Sequence, residues 1–183
     1  MKLYFSSLCK LLLFVIVCFI SCQPKKNASE QVVREWQGKE IKLPDSIIYK
    51  VLGRDTLCSD VWDKSYKIIS YFDSTGCIGC RLDLRQWKRF YDTCSVYQPS
   101  ISLLLVVCSS DYSFLEQMLV DHEFSHPIIY DEQDLFDKLN HFPPQYQFRT
   151  FLLGKDNKVV LVGSPMNSPK MWELYKNAIM QSQ

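Results

Sequence analysis

Ser74-Thr75-Gly76-Cys77-Ile78-Gly79-Cys80 follows an apolar run, Ile68-Ile69-Ser70-Tyr71-Phe72, and leads into a segment of helical character that begins near Cys80. Two thiols three residues apart in the first turn of a helix share a face, so their sulfurs reach disulfide geometry with little backbone movement. That turn also carries unpaired N–H groups and the positive end of the helix dipole, which favour a thiolate over a thiol. Strand, Cys-x-x-Cys and helix in this order point to dithiol chemistry, with Cys77 as the reactive thiol and Cys80 as its partner.

Upstream, residues 47–52 closed by Gly53-Arg54-Asp55 predict a first strand and turn, paired with a short strand near Thr56 to Cys58. Tyr66 to Phe72 is the strand that delivers the cysteines. Downstream, Leu84, Trp87, Tyr91 and Cys94 fall on one face of a predicted helix over residues 81–94. Residues 101–107 are almost wholly apolar, as a strand covered on both faces requires. Asp111 is placed to cap a helix running to about His122, with Phe114, Leu115, Met118 and Leu119 inward. A short strand over 127–130, a helix over 131–139, a hairpin pairing 150–153 with 158–162, and a last helix over 169–180 complete the chain. Strands alternating with helices and ending in a hairpin and helix predict an α/β fold with a mixed central β-sheet flanked by helices.

The 183 residues, 47% hydrophobic, suffice for one core. Twenty-one Lys+Arg against 20 Asp+Glu give no field that would seek nucleic acid. At the N-terminus, Lys2 and Lys10 flank a short lead, Leu11 to Ile20 is unbroken apolar sequence, and Ser21-Cys22 follows. This reads as a secretory signal over residues 1–21, its apolar run short of the roughly 20 residues a membrane span needs. Phe19-Ile20-Ser21-Cys22 resembles the lipobox of bacterial lipoproteins, with Phe19 where Leu is usual, which implies lipid attachment at Cys22. The alternative is an ordinary cleaved signal with an incidental cysteine. Residues 22–45, polar through Pro24, Lys25, Lys26, Asn27 and Ser29, read as a tether, and residues 46–183 as the folded domain. Removing the signal and lipidating Cys22 leaves Cys58, Cys77, Cys80, Cys94 and Cys108. An odd set of this kind is a working dithiol with three small hydrophobes rather than a disulfide framework, although a second bridge such as Cys58 to Cys94 stays open.

From about Ile47 to Ala178 the order of elements around the Cys-x-x-Cys resembles exported, membrane-tethered thioredoxin-like proteins of the TlpA and AhpC/TSA type. Arg81 and Asp83 match in kind the basic and acidic residues that often follow the second cysteine there. Thr150-Phe151-Leu152-Leu153-Gly154-Lys155-Asp156-Asn157-Lys158-Val159 is similar to their Thr-Phe hairpin. The resemblance implies a lipid-anchored thiol-disulfide oxidoreductase of the bacterial cell envelope, facing the periplasm, with protein thiols and disulfides as partners and no cofactor. Three positions depart from the pattern. Gly76 stands where a tryptophan wall is usual. Tyr71 occupies the place of a buried acid that assists the second cysteine. Arg149 precedes Thr150 where a cis-proline usually borders the dithiol, and a non-proline cis bond would cost about 2.5–4 kcal/mol, so a trans bond and a remodelled loop are expected. Arg149 and Thr150 are thus the candidate substrate-loop residues, and an Arg149 guanidinium that faced the dithiol would favour the Cys77 thiolate.

Competing readings rest on weaker patterns. A redox-inactive thioredoxin-like binding lipoprotein would keep the fold without the chemistry. His122-Glu123-Phe124-Ser125-His126 matches the zinc-protease H-E-x-x-H, but Pro127 biases His126 out of the continuous helix that two zinc-bound imidazoles require. The T-x-x-C of peroxidases is absent, since Thr75 lies two residues before Cys77. A copper chaperone would need a wider cysteine spacing, with His141 as its distant ligand. No metal is expected.

Overall fold

A computed structural model describes residues 28–58, 60–98 and 100–180. The signal segment and Cys22 lie outside these residues. Residues 32–183 form one compact unit; of the other, residues 1–31, only the four residues that open the first helix are described. Among the described residues no helix is long and apolar enough to cross a membrane.

The strands are β1 (Ile48–Val51), β2 (Arg54–Thr56), β3 (Tyr66–Phe72), β4 (Ile101–Val107), β5 (Ile128–Tyr130), β6 (Thr150–Leu153) and β7 (Val159–Val162), and they form a single sheet in the order β2-β1-β5-β4-β3-β6-β7. The central three are parallel, with Ile68 opposite Leu103 and Val106 opposite Ile129. β1 joins β5 antiparallel, and β6 joins β3 antiparallel, Ser70 facing Thr150. Period-two alternation divides β3 and β4 between two cores. Ile68, Phe72, Leu103, Leu105 and Val107 face one side; Ile69, Tyr71, Leu104 and Val106 face the other.

The first side is covered by α3 (Leu84–Tyr97), α4 (Ser113–Asp121) and α6 (Pro169–Met180), through Trp87, Phe90, Leu115, Leu119, Tyr175 and Ile179. The second is covered by α1 (Ala28–Trp36) and α5 (Leu135–Asn140), where Trp36 stacks on Phe142 and Phe151 at 5.7 and 4.9 Å. Burial on both faces is what the nearly continuous apolar run of β4 demands.

Four expectations are corrected. The segment read as a tether over 22–45 is structured through most of its described part: Trp36 and Ile41 are buried in the second core, and residues 38–41 run along β7, Gly38 N–H donating to Val159 O at 2.8 Å and Val159 N–H to Lys39 O at 2.9 Å. Val32, Val33 and Trp36 do share one helical face, but in a helix of only nine residues among polar neighbours. The single helix expected over 81–94 is two, α2 (Ile78–Arg81) and α3, because the chain leaves helical geometry at Leu82 and Asp83 restarts it by accepting from Gln86 N–H. Phe114 is 61% exposed rather than inward, and Cys58 is half-buried, while Cys94 and Cys108 are buried as expected. In agreement with the sequence reading, H-E-x-x-H lies off the helix: α4 ends at Asp121, before the motif, and Glu123 takes a left-handed φ of 49°. His122 and His126 therefore share no helical face, and no metal-holding cluster occurs among the described residues.

Candidate redox site

β3 delivers the site at the C-terminal end of the central parallel strands. Asp73 leaves the sheet, Ser74 to Gly76 turn, Gly76 with the positive φ of 84° that suits glycine, and Cys77 caps the four-residue α2. Cys77 and Cys80 are both exposed and unbridged. Cys80 N–H donates to Cys77 O at 3.2 Å, closing the turn that sets the two side chains together.

The pair is polarised. Cys77 is held below the ordinary thiol range, chiefly by a hydrogen bond from the Cys80 thiol, then by the backbone N–H groups of Cys80 and Gly79 and the positive charge of Arg81. Cys80 is pushed up, because it donates that hydrogen bond and because a thiolate on Cys77 disfavours a second negative charge. One exposed sulfur is therefore ready as a nucleophile while its neighbour keeps its proton. That is the division of labour a mixed-disulfide exchange needs.

Arg149 does not face the dithiol in the expected role. Its guanidinium ion-pairs with Asp73, its Nε donates to Pro143 O at 2.6 Å, and its Nη2 donates to Pro144 O at 3.3 Å. Those acceptors engage all three of its nitrogens, and the guanidinium that acts on Cys77 is Arg81's. No cis peptide occurs among the described residues, so the loop around Arg149 is remodelled in the trans form, with Arg149 O accepting from Tyr71 N–H at 2.9 Å. Thr150 is buried, its hydroxyl 2.8 Å from that of Ser70. Tyr71 is buried, donates to Asp134 and stays protonated, since burial pushes its phenol up and the Asp134 contact adds to this.

A cleft of about 200 Å³ opens beside Cys80, lined among others by Ser70, Arg81, Trp87, Tyr146 and Thr150. Thr150 and Cys80 thus meet at one cavity, whereas Arg149 is not part of its lining. A larger cleft of about 390 Å³, between Arg89, Met166 and Trp172, contains no thiol. Asp73 is the residue that sequence reasoning missed. A lone carboxylate at the end of an apolar strand was the available signal, but its partners lie eight and 76 residues away.

No protein-family model matches the sequence, and no curated protein sequence matches it. Solved structures do. The thioredoxin domain of a thiol-disulfide oxidoreductase from Bacteroides vulgatus aligns with a TM-score of 0.59 at 10% identity, over 78% of this chain and 97% of that one. A thiol:disulfide interchange protein from Bacteroides sp. aligns at 0.58 and 10%, over 80% and 92%. Peroxidoxin BcpB from Mycobacterium tuberculosis aligns at 0.52 and 14%, over 80% and 96%. At these identities the likeness establishes the fold alone: the fold is thioredoxin-like, and a Cys-x-x-Cys pair stands at the start of α2, directly after β3.

Proposed function

We propose that this chain is an exported, lipid-anchored thiol-disulfide oxidoreductase that works through a mixed disulfide. The observation that carries the chemistry is the polarised pair: an exposed Cys77 held toward thiolate by the thiol of Cys80. In the reducing direction, the Cys77 thiolate attacks one sulfur of a partner disulfide. The partner's S–S bond breaks and its second sulfur leaves as a thiolate that takes up a proton. Cys80 then loses its proton and attacks the Cys77 sulfur, releasing the partner's first sulfur as a thiol. The partner gains two electrons and the Cys77/Cys80 pair loses them; in the oxidising direction every step reverses. Ile78 and Gly79 place no charge between the cysteines, which favours a mid-range or reducing potential.

Export and anchoring are supported by the signal-like residues 1–21 and the lipobox-like Phe19 to Cys22. The partners are protein thiols and disulfides of the cell envelope, met at the periplasmic face of a membrane. A Cys80→Ser variant expressed in cells tests the chemistry: mixed disulfides through Cys77 should accumulate in the envelope and vanish when Cys77 is also replaced. If nothing is trapped and insulin disulfides are not reduced, the fold serves as a redox-inactive binding lipoprotein. Loss of membrane association and of acyl labelling in Cys22→Ser tests the anchor.

A further inference from the structure

Asp73 directs its carboxylate between two arginines that approach from different parts of the chain. Its Oδ1 accepts from Arg81 Nη1 and Nη2, both at 3.0 Å, and from the N–H and hydroxyl of Thr75 at 3.1 and 2.7 Å; its Oδ2 accepts from Arg149 Nη1. Arg81 Nη2 donates further to the carbonyls of Asp73 and Thr75. The Nε of Arg81, in contrast, is buried without a partner. A buried donor left unpaired is costly, since it has given up water for nothing. Arg81 holds this pose through the two carbonyls and the Asp73 carboxylate, and the charged acceptor is the strongest of these contacts. Without the carboxylate, a long side chain regains hydration and rotamer freedom by swinging into solvent.

We propose that Asp73 is a positioning residue for the dithiol: its carboxylate pins the Arg81 guanidinium to the turn that carries Cys77, so that an anion ends up favouring a neighbouring thiolate. This rests on Cys77 being the reactive thiol. The direct effect of a negative charge near a thiol has the opposite sign, since it disfavours the thiolate. The sign of the change on removing Asp73 therefore separates positioning from simple repulsion. The other charged or titratable groups around the turn include Cys80, Arg149, Asp83 and Cys108, whose buried thiol meets the backbone of Ser74 and is pushed up chiefly by burial. Two of these do not transmit the effect: Arg149 reaches the turn only through Asp73, and Asp83 is engaged with Gln86.

The test is the pH dependence of iodoacetamide alkylation of Cys77, read by peptide mass spectrometry on the folded mature chain. Arg81→Ala and Asp73→Ala should both move the alkylation midpoint upward, each leaving about threefold less thiolate at neutral pH. The double variant should move no further than Arg81→Ala, because the carboxylate acts through the guanidinium. Asp73→Ser carries the same expectation should the alanine variant fail to fold, and Asp73→Glu should restore part of the effect. A midpoint unmoved in Arg81→Ala, a downward move in the Asp73 variants, or additive effects in the pair would each overturn the proposal. Alkylation is read whether or not the protein turns over a partner. Shifts as expected with no exchange activity would refute the oxidoreductase reading alone.

Discussion

The ring of Phe114 lies against Gly79, so close that a β-carbon at residue 79 would fall 2.8 Å from its Cε1 and 3.0 Å from its Cζ. The second of the two residues between the cysteines is thus fitted to α4 by the absence of a side chain. Since the ring is 61% exposed, Gly79→Ala should swing it aside cheaply, with a helix-propensity gain of up to about 1 kcal/mol working the other way. The expected melting temperature lies within about 4 °C of the wild type; a loss above about 10 °C would show the ring to be fixed in place.

Trp36 is 2% exposed and stacked on Phe142 and Phe151, with the Lys39 ammonium 3.7 Å from its ring centroid. Emptying such a site costs about 3–5 kcal/mol. Trp36→Ala should therefore lower the urea midpoint sharply, whereas substitutions in a flexible tether stay within about 0.5 kcal/mol.

Removing Arg149 leaves Asp73 still paired with Arg81 but takes donors from Pro143 O and Pro144 O. The loss should be intermediate, about 1–3 kcal/mol in chemical denaturation. Arg149→Lys should recover only part of it, because an ammonium cannot reproduce the fork that spans the carboxylate and two carbonyls.

His126 packs edge-on against Tyr91 and Phe124, and burial holds it below its ordinary value of 6.5, with Asp92 at 4.0 Å countering only in part. Between the lowered folded value and 6.5 the unfolded chain binds more protons, so stability falls as pH drops through this window. His126→Phe should flatten that part of the stability profile, as followed by urea midpoints at successive pH values. An unchanged slope would place the acid sensitivity elsewhere.

Much of this architecture was legible where one periodic signal dominated. β3, β4, β6 and α6 lie where their apolar patterns put them, because burial on one or both faces leaves a regular trace. The break at Leu82-Asp83 was hidden, since Leu84 and Trp87 continue an apolar period that would equally suit one uninterrupted helix. Phe114 followed helical spacing inward, yet only Leu115 and Leu119 of α4 are fully buried; α2 lies beside its ring and leaves it open to solvent. In the site, the two thiols were evident from spacing alone. The partner of Arg149 was not, because an ion pair spanning 76 residues has no local signature.

The strap formed by residues 38–41 along β7 bears on mechanics. A sheet edge left bare invites pairing with another chain, and here part of that edge is already taken. Should the chain be held by its N-terminal end, any pull would reach the domain first through Trp36 and this strap. Their hydrogen bonds run crosswise to β7, so a load directed across that strand would open them one after another like a zip, whereas a load along it would strain them together. Under a load across β7 the strap would yield stepwise before tension reached β3, the strand that leads to Cys77 and Cys80.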